Sequence, residues 1–225
     1  MNAVALAHGW MRGGADAARA ALALFWSAVG RRVPFELFTI GSAERPGLAP
    51  AARALMHWVR LLSPYQFNPL DVNPLREVLV EQFDFEHLRA ASPMQLYIAA
   101  THANSGRLRL FETHELGVDA LLASACLPTF HHAVVIDGEP YWDGGYMGNP
   151  AIFPLIYGAQ APDVLIVQVN PLGCDRVPTT ASDIMNRLNE LSFNSSLMRE
   201  MRAISFVTDL IDGGKLDSNQ YKRVH

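Results

Sequence analysis

Residues 123–130, Ala-Ser-Ala-Cys-Leu-Pro-Thr-Phe, and residues 136–146, Ile-Asp-Gly-Glu-Pro-Tyr-Trp-Asp-Gly-Gly-Tyr, decide how the fold of this chain is interpreted. The second stretch places Asp143 directly before Gly144 and Gly145, at the end of an apolar, aromatic run. Because glycine permits positive φ and close backbone approach, the carboxylate can project from a rigid corner. Asp-Gly is also a common hairpin turn, and these three residues alone favour that simpler interpretation.

The residues around this corner add a resemblance to a known family. Together the two stretches resemble the patatin-like phospholipases, acyl hydrolases in which Ala-Ser-x-Ala-x-Pro-x-x-Phe precedes Asp-Gly-Gly or Asp-Gly-Ala. The residues that carry the resemblance are Ala123, Ser124, Ala125, Pro128, Phe130, Asp143, Gly144 and Gly145, followed by Asn149 and Pro150, with Ala125 and Phe130 each one position before the second Ala and the Phe of the pattern. The resemblance implies that Asp143 is the catalytic carboxylate of a Ser–Asp dyad. It also implies that Gly144 and Gly145 support the approach of Asp143 to the nucleophile.

One part of the family pattern does not occur in these residues. The family's nucleophile lies in Gly-x-Ser-x-Gly, after a glycine-rich oxyanion loop, and this sequence contains no Gly-x-Ser-x-Gly. Residues 1–7 resemble the helix that follows that nucleophile. We therefore expect a fragment that lacks the N-terminal strand, the oxyanion loop and the nucleophile elbow. Met1 is then either an internal methionine of a longer protein or the start of a truncated product.

Composition restricts the class of protein. The chain has 225 residues, half of them hydrophobic, which is typical of a globular protein, and we expect one domain over residues 1–225. The net charge of -4 argues against a nucleic-acid partner, which calls for a basic surface. The two cysteines are too few for a disulfide framework and fit either a reducing compartment or simply buried thiols. We expect a cytoplasmic protein. No apolar run approaches the ~18 residues of a transmembrane helix.

Periodicity and punctuation predict alternating helices and strands. Helices are expected over residues 1–10, 15–29, 51–62, 74–83, 84–90 and 118–125, with Gly13 and Gly14 as a break, and a long helix capped by Thr180 and Asp183. Strands are expected over 95–101, 107–113, 134–136, 140–142 and 163–170, the last being the clearest buried strand. Residues 41–50 and 63–74 are expected to be irregular. Alternating elements predict an α/β fold, and the resemblance implies a three-layer α/β/α sandwich with a mixed central sheet.

The chemistry expected of Asp143 is that of a general base. A serine hydroxyl is a poor nucleophile at neutral pH and needs an adjacent base. A carboxylate with a pKa of about 3.9 is a weak base unless its surroundings raise that value. The apolar neighbours Phe130, Trp142 and Tyr146 can do so by excluding water.

Other chemistries are open to these residues but less well supported. A Cys126–His131–Asp143 arrangement would make a thiol hydrolase, although the spacing gives no support for it. His114-Glu115 lacks the second histidine of a zinc-binding helix, because Val118 occupies that place. No phosphate loop or dinucleotide fingerprint occurs, so we expect no metal and no organic cofactor. The apolar residues of segment 63–74 indicate either a loop packed on the core or a lid that contacts lipid.

The resemblance thus implies a phospholipase A-type hydrolase that acts on lipid or fatty-acyl esters, with peripheral membrane contact and with its serine nucleophile missing from these residues. The alternative is a non-catalytic patatin-like module for lipid binding or protein interaction. Codons for Gly-x-Ser-x-Gly upstream of Met1 would distinguish the two.

Overall fold

The structure is a computed structural model that describes residues 1–32, 39–42, 45–48, 62–161, 163–217 and 220–224. Its helices are α1 (Asn2–Arg32), α2 (Pro64–Phe67), α3 (Pro74–Gln82), α4 (Phe85–Ala91), α5 (Val118–Ala123), α6 (Phe153–Gly158) and α7 (Ala181–Asp212). Its strands are β1 (Thr39–Ser42), β2 (Arg45–Leu48), β3 (Tyr97–His102), β4 (Leu108–Glu112), β5 (Val134–Ile136) and β6 (Glu139–Asp143). Two 3₁₀ turns, Thr113–Glu115 and Gly144–Tyr146, follow β4 and β6.

The sheet that carries the candidate site has four strands in the order β4-β3-β6-β5. All of its pairings are antiparallel, with Tyr97 opposite Glu112 and Ala100 opposite Asp143. Strands β1 and β2 form a separate antiparallel pair. Helices packed on a sheet confirm the α/β fold class, while the described pairings include no parallel strand that would make the sheet mixed.

Helices build up behind this sheet in succession. Helix α5 contacts β3, β5 and β6, α3 packs on α5, and α1 packs on α3 and α4. The buried side chains of these elements form one hydrophobic core. Among the largest of them are Phe25, Leu79, Leu88, Leu116 and Leu121, all less than 2 % exposed. The core therefore lies on one side of the sheet and holds β3 and β6 in place.

Helix α1 is two helices joined at the predicted break. Gly14 has a φ of 70°, which glycine adopts without strain, and the chain reverses direction there. As a result Trp26 Nε1 donates a hydrogen bond to Asn2 Oδ1 at 2.9 Å. A Cβ atom on Gly9 would lie 2.6 Å from the Ala17 carbonyl oxygen, so only glycine allows the two halves to pack this closely.

The predicted strand over residues 163–170 is wrong. The structure has no strand there, and Leu165, Val167 and Val169 are 90%, 85% and 92% exposed. No backbone hydrogen bond joins 163–169 to another described residue. Apolar side chains predict a buried strand only where a neighbouring strand supplies the hydrogen-bond partners, and the described part of the chain places none beside this segment.

Two smaller expectations also differ. Residues 41–50 were expected to be a loop, yet β1 and β2 occupy most of that range as a paired hairpin. Segment 63–74 was expected to be irregular, but it begins with α2, where Ser63 and Gln66 form a capping box and Pro64 stands at the first helical position. The helix expected over 51–62 lies outside the described residues, except for Leu62.

Candidate active site

Asp143 is the last residue of β6, and hydrogen bonds fix its backbone on both sides. Its N–H donates to the Cys126 carbonyl at 2.8 Å, and its carbonyl accepts from Thr101 Oγ1 at 2.8 Å. Cys126 belongs to the turn that follows α5, while Thr101 belongs to β3. The two stretches that decided the sequence interpretation therefore meet at Asp143.

The carboxylate of Asp143 caps the turn that follows it. Its Oδ1 accepts a hydrogen bond from the Gly145 N–H at 2.7 Å, and residues Gly144–Tyr146 form a single 3₁₀ turn. A short side chain that bonds the backbone two residues ahead is a common feature of Asp at turns. The turn interpretation and the candidate-site interpretation thus apply to the same residue.

The two glycines are required by close contacts. A Cβ atom on Gly144 would lie 2.1 Å from the Ala99 carbonyl oxygen in β3. A Cβ atom on Gly145 would lie 2.3 Å from a ring carbon of Phe193 in α7. The first contact involves strand backbone and the second a side chain, so the turn is pressed between β3 and α7.

The environment of Asp143 favours its protonated form. Burial raises the pKa of the Asp143 carboxyl, and the Gly145 N–H and the charge of the Met1 amine oppose that shift. The Met1 amine is itself buried, which lowers its pKa, while the charge of Asp143 raises it. The pKa of Tyr146 is raised, chiefly by burial and also by Asp143. Asp143 therefore lies near the start of α1, in a site largely removed from water.

Helix α7 closes this site, which the sequence analysis did not foresee. The Phe193 ring packs 5.0 Å from the Tyr146 ring, centroid to centroid. The Asn149 N–H donates to Ser196 Oγ at 3.0 Å, and Asn149 Nδ2 donates to the Phe193 carbonyl at 3.2 Å. In the sequence, Phe193 belongs to an apolar stripe of a long helix, and nothing in that stripe indicates that Gly145 is its partner.

A comparison with known protein families finds one that matches more than half of the chain. The family model for patatin-like phospholipase matches residues 1–156, a range that contains the turn after α5, β6 and the Asp143 corner. The chain belongs to the patatin-like phospholipase family. No curated protein matches the chain. The patatin-like match ends within α6, so Phe193 and the rest of α7 lie beyond it.

The thiol alternative to a patatin-like site does not fit the contacts. Cys126 Sγ donates to the His132 carbonyl at 3.0 Å, not to an imidazole. Burial raises the pKa of the Cys126 thiol to about 11, so the thiol is protonated at neutral pH. Burial also lowers the pKa of His131, which makes its imidazole a weaker base. A reactive cysteine needs the opposite environment, in which the thiolate is stabilised.

The described residues provide neither a metal site nor a membrane-spanning helix. Within them, no group of His, Cys, Asp and Glu side chains is placed to hold a metal ion. None of the described helices combines the length and the apolar character that crossing a membrane requires.

Segment 63–74 is docked beside the patatin-like site at one end and exposed at the other. The Tyr65 ring stacks on His132 at 4.1 Å, and the Tyr65 hydroxyl accepts from the Ala133 N–H at 3.2 Å. The His132 carbonyl is the partner of the Cys126 thiol, so this segment borders the turn next to Asp143. Leu70, by contrast, is 84% exposed, and Val72 is also exposed.

Proposed function

We propose that these residues carry the general base of a serine acyl hydrolase that acts on lipid esters, and that Asp143 is that base. The observation that supports this most directly is the environment of the carboxylate. It is held by backbone hydrogen bonds at a buried corner, its pKa is raised, and it lies near the start of α1. In the described residues no Lys, Arg or His side chain forms an ion pair with it.

The proposed reaction uses Asp143 twice. The carboxylate accepts the proton of a serine hydroxyl as the oxygen attacks the ester carbonyl, and it returns that proton to the departing alcohol. A water molecule then replaces the alcohol, and the same exchange releases the fatty acid from the acyl-enzyme. A raised pKa makes Asp143 a stronger base than an ordinary carboxylate, provided that it is deprotonated at the working pH.

The proposed serine is not supplied by a Gly-x-Ser-x-Gly motif of these 225 residues. On the family resemblance we propose that it lies four residues before Met1, and four residues of helix advance ~6 Å. A general base must lie about 3 Å from the hydroxyl that it deprotonates. The position of Asp143 near the start of α1 is compatible with that reach.

The second candidate function is a non-catalytic patatin-like module that binds lipid at a membrane surface in the cytoplasm. It is favoured by the exposed apolar residues next to the site. Leu62, Tyr65, Leu70 and Val72 expose large side chains on one segment, and a cluster of this kind marks a contact surface.

The test compares two proteins. One is the 225-residue chain that begins at Met1, and the other extends it by the residues encoded in frame upstream of Met1. Each is assayed with a p-nitrophenyl ester and with phospholipid vesicles, as wild type, as Asp143→Asn and as Asp137→Asn. Asp137 is the matched control, because it also precedes a glycine but lies in the exposed β5–β6 turn.

We expect hydrolysis only from the extended protein, and we expect Asp143→Asn to lower it by two or more orders of magnitude while Asp137→Asn leaves it unchanged. Hydrolysis that is insensitive to Asp143→Asn would refute the role of this carboxylate. Hydrolysis by the 225-residue chain at a higher rate than by its Asp143→Asn form would require a nucleophile within these residues, and Cys126 would then be the candidate. Vesicle binding without hydrolysis by either protein would support the module.

A further inference from the structure

A groove of about 530 Å³ lies between α6, α7 and residues 220–224. This volume falls within the ~300–1,000 Å³ typical of small-molecule sites. Its walls are mainly apolar: Phe153 and Ile156 come from α6, Ile204 and Val207 from α7, and Val224 from the C-terminal segment. It lies outside the contacts that hold Asp143, since Phe193 of α7 lies eleven residues before Ile204, or ~16 Å along the helix.

Two charged groups border the groove, and their situations differ. The Glu200 carboxylate accepts hydrogen bonds from the Ile152 and Phe153 N–H groups at 2.6 and 3.1 Å, so it caps the start of α6. The Lys222 ammonium donates to the Ala159 carbonyl, and no described carboxylate lies within ion-pair distance of it. An ammonium has three donors, so Lys222 keeps donors for a further acceptor. The groove therefore combines apolar walls with one positive charge that has no anionic partner among the described residues.

We propose that this groove binds a long-chain carboxylate, that is, a free fatty acid. Its carboxylate pairs with Lys222, and its hydrocarbon chain lies along Ile156, Ile204 and Val207. A fatty acid matches the groove in having one negative charge at the end of an unbranched apolar chain. An ester or alcohol of the same length would leave Lys222 without an anion. The proposal does not depend on Asp143 being a catalytic base.

Lysine usage makes the proposal directly measurable. The chain has only two lysines, Lys215 and Lys222, and Lys215 is exposed and does not line the groove. Selective ¹³C labelling of lysine at Cε leaves the three donors of each ammonium unmodified and gives two lysine signals, which Lys215→Met assigns. Titration with laurate, below its micelle concentration, should shift the Lys222 signal saturably and leave the Lys215 signal in place.

Variants and a ligand series test the two halves of the groove. Lys222→Met should weaken laurate binding at least tenfold, since a charge-assisted hydrogen bond is lost, whereas Lys215→Met should not change it. Myristate, with two more methylenes, should bind roughly tenfold more tightly than laurate. Dodecanol should bind at least tenfold more weakly than laurate. Val207→Trp should abolish binding because the indole fills the groove.

The outcomes separate clearly. A laurate shift that is equal at both lysines, or absent at Lys222, overturns the proposal. Laurate affinity that is unchanged in both Lys222→Met and Val207→Trp also overturns the proposal. If Val207→Trp does not fold, as judged by its circular dichroism and melting, the Lys222 signal of the unsubstituted chain still decides the question, because it requires no variant.

Discussion

Gly144→Ala should be among the most damaging single methyl additions in this chain. The new Cβ would lie 2.1 Å from the Ala99 carbonyl oxygen and 2.4 Å from its carbon. Ala99 cannot retreat, since it pairs with Leu110 of β4, and the neighbouring Ala100 pairs with Asp143 itself. Overpacking that side-chain rotation cannot relieve reaches or exceeds about 3 kcal/mol.

Alanine substitutions at two other glycines provide comparisons for the stability loss expected of Gly144→Ala. Gly145→Ala meets the Phe193 ring at 2.3 Å, and because a ring can rotate, we expect a smaller loss of about 1–2 kcal/mol. Gly30→Ala adds a methyl group in α1 where no atom lies within 4 Å, so the helix should gain roughly 0.5–1 kcal/mol.

Urea denaturation followed by circular dichroism measures all three. With an m-value of about 3 kcal/mol per molar, the midpoint of Gly144→Ala should fall by about 1 M, while that of Gly30→Ala should rise slightly. A loss below about 1 kcal/mol for Gly144→Ala, or a larger loss for Gly145→Ala, would show that β3 does not hold the turn as described.

Three further predictions concern single groups. Burial raises the folded-state pKa of Asp143 above its unfolded-state pKa, so the folded chain binds this proton more tightly. Stability therefore falls as pH rises from the unfolded-state pKa to the folded-state pKa. Asp143→Asn should therefore have a higher urea midpoint of unfolding than the wild type at pH 7. Below about pH 4 the unfolded carboxyl is also protonated, so this difference should disappear. A higher midpoint for Asp143→Asn at about pH 3 would contradict this. A thiol reagent at pH 7.5 should react quickly with exposed Cys174 and slowly with Cys126, whose thiol pKa is about 11, and Cys174→Ser should remove the fast phase. Glu200→Ala should lower the free energy of unfolding by about 1–2 kcal/mol, because α6 loses its N-terminal cap. Urea denaturation measures this loss against Glu190→Ala, whose carboxylate pairs only with Arg187 among the described residues. Equal losses in the two variants would show that Glu200 does not cap α6.

Local sequence signals predicted the local structure well. The break at Gly13 and Gly14, the start of α3 at Pro74 and the cap of α7 at Thr180 all depend on residues a few positions apart. Backbone sterics and capping decide such features within one turn of the chain. The strands β3, β4, β5 and β6 were also predicted close to their observed bounds.

The contacts of the candidate site were less accessible. Asp143, Gly144 and Gly145 stand out in the sequence because they are adjacent, but their partners are distant: Ala99 precedes them by more than forty residues, Phe193 follows by about fifty, and the Met1 amine lies at the other end of the match. The periodicity of apolar residues along the sequence does not identify contacts between residues so far apart. Segment 163–170 illustrates the same limit, since its apolar pattern describes the segment alone and not its neighbour.

That segment has a consequence for anyone who handles the chain. Residues 163–169 present apolar side chains and a backbone that bonds no other described backbone, which is the surface that a strand from another molecule can extend. Two copies aligned antiparallel about Ile166 would place Leu165 opposite Val167 in both directions. Such pairing requires an encounter between two chains, so the initial rate at which protein is lost from solution should grow with the square of its concentration. Dilution should then preserve the monomer.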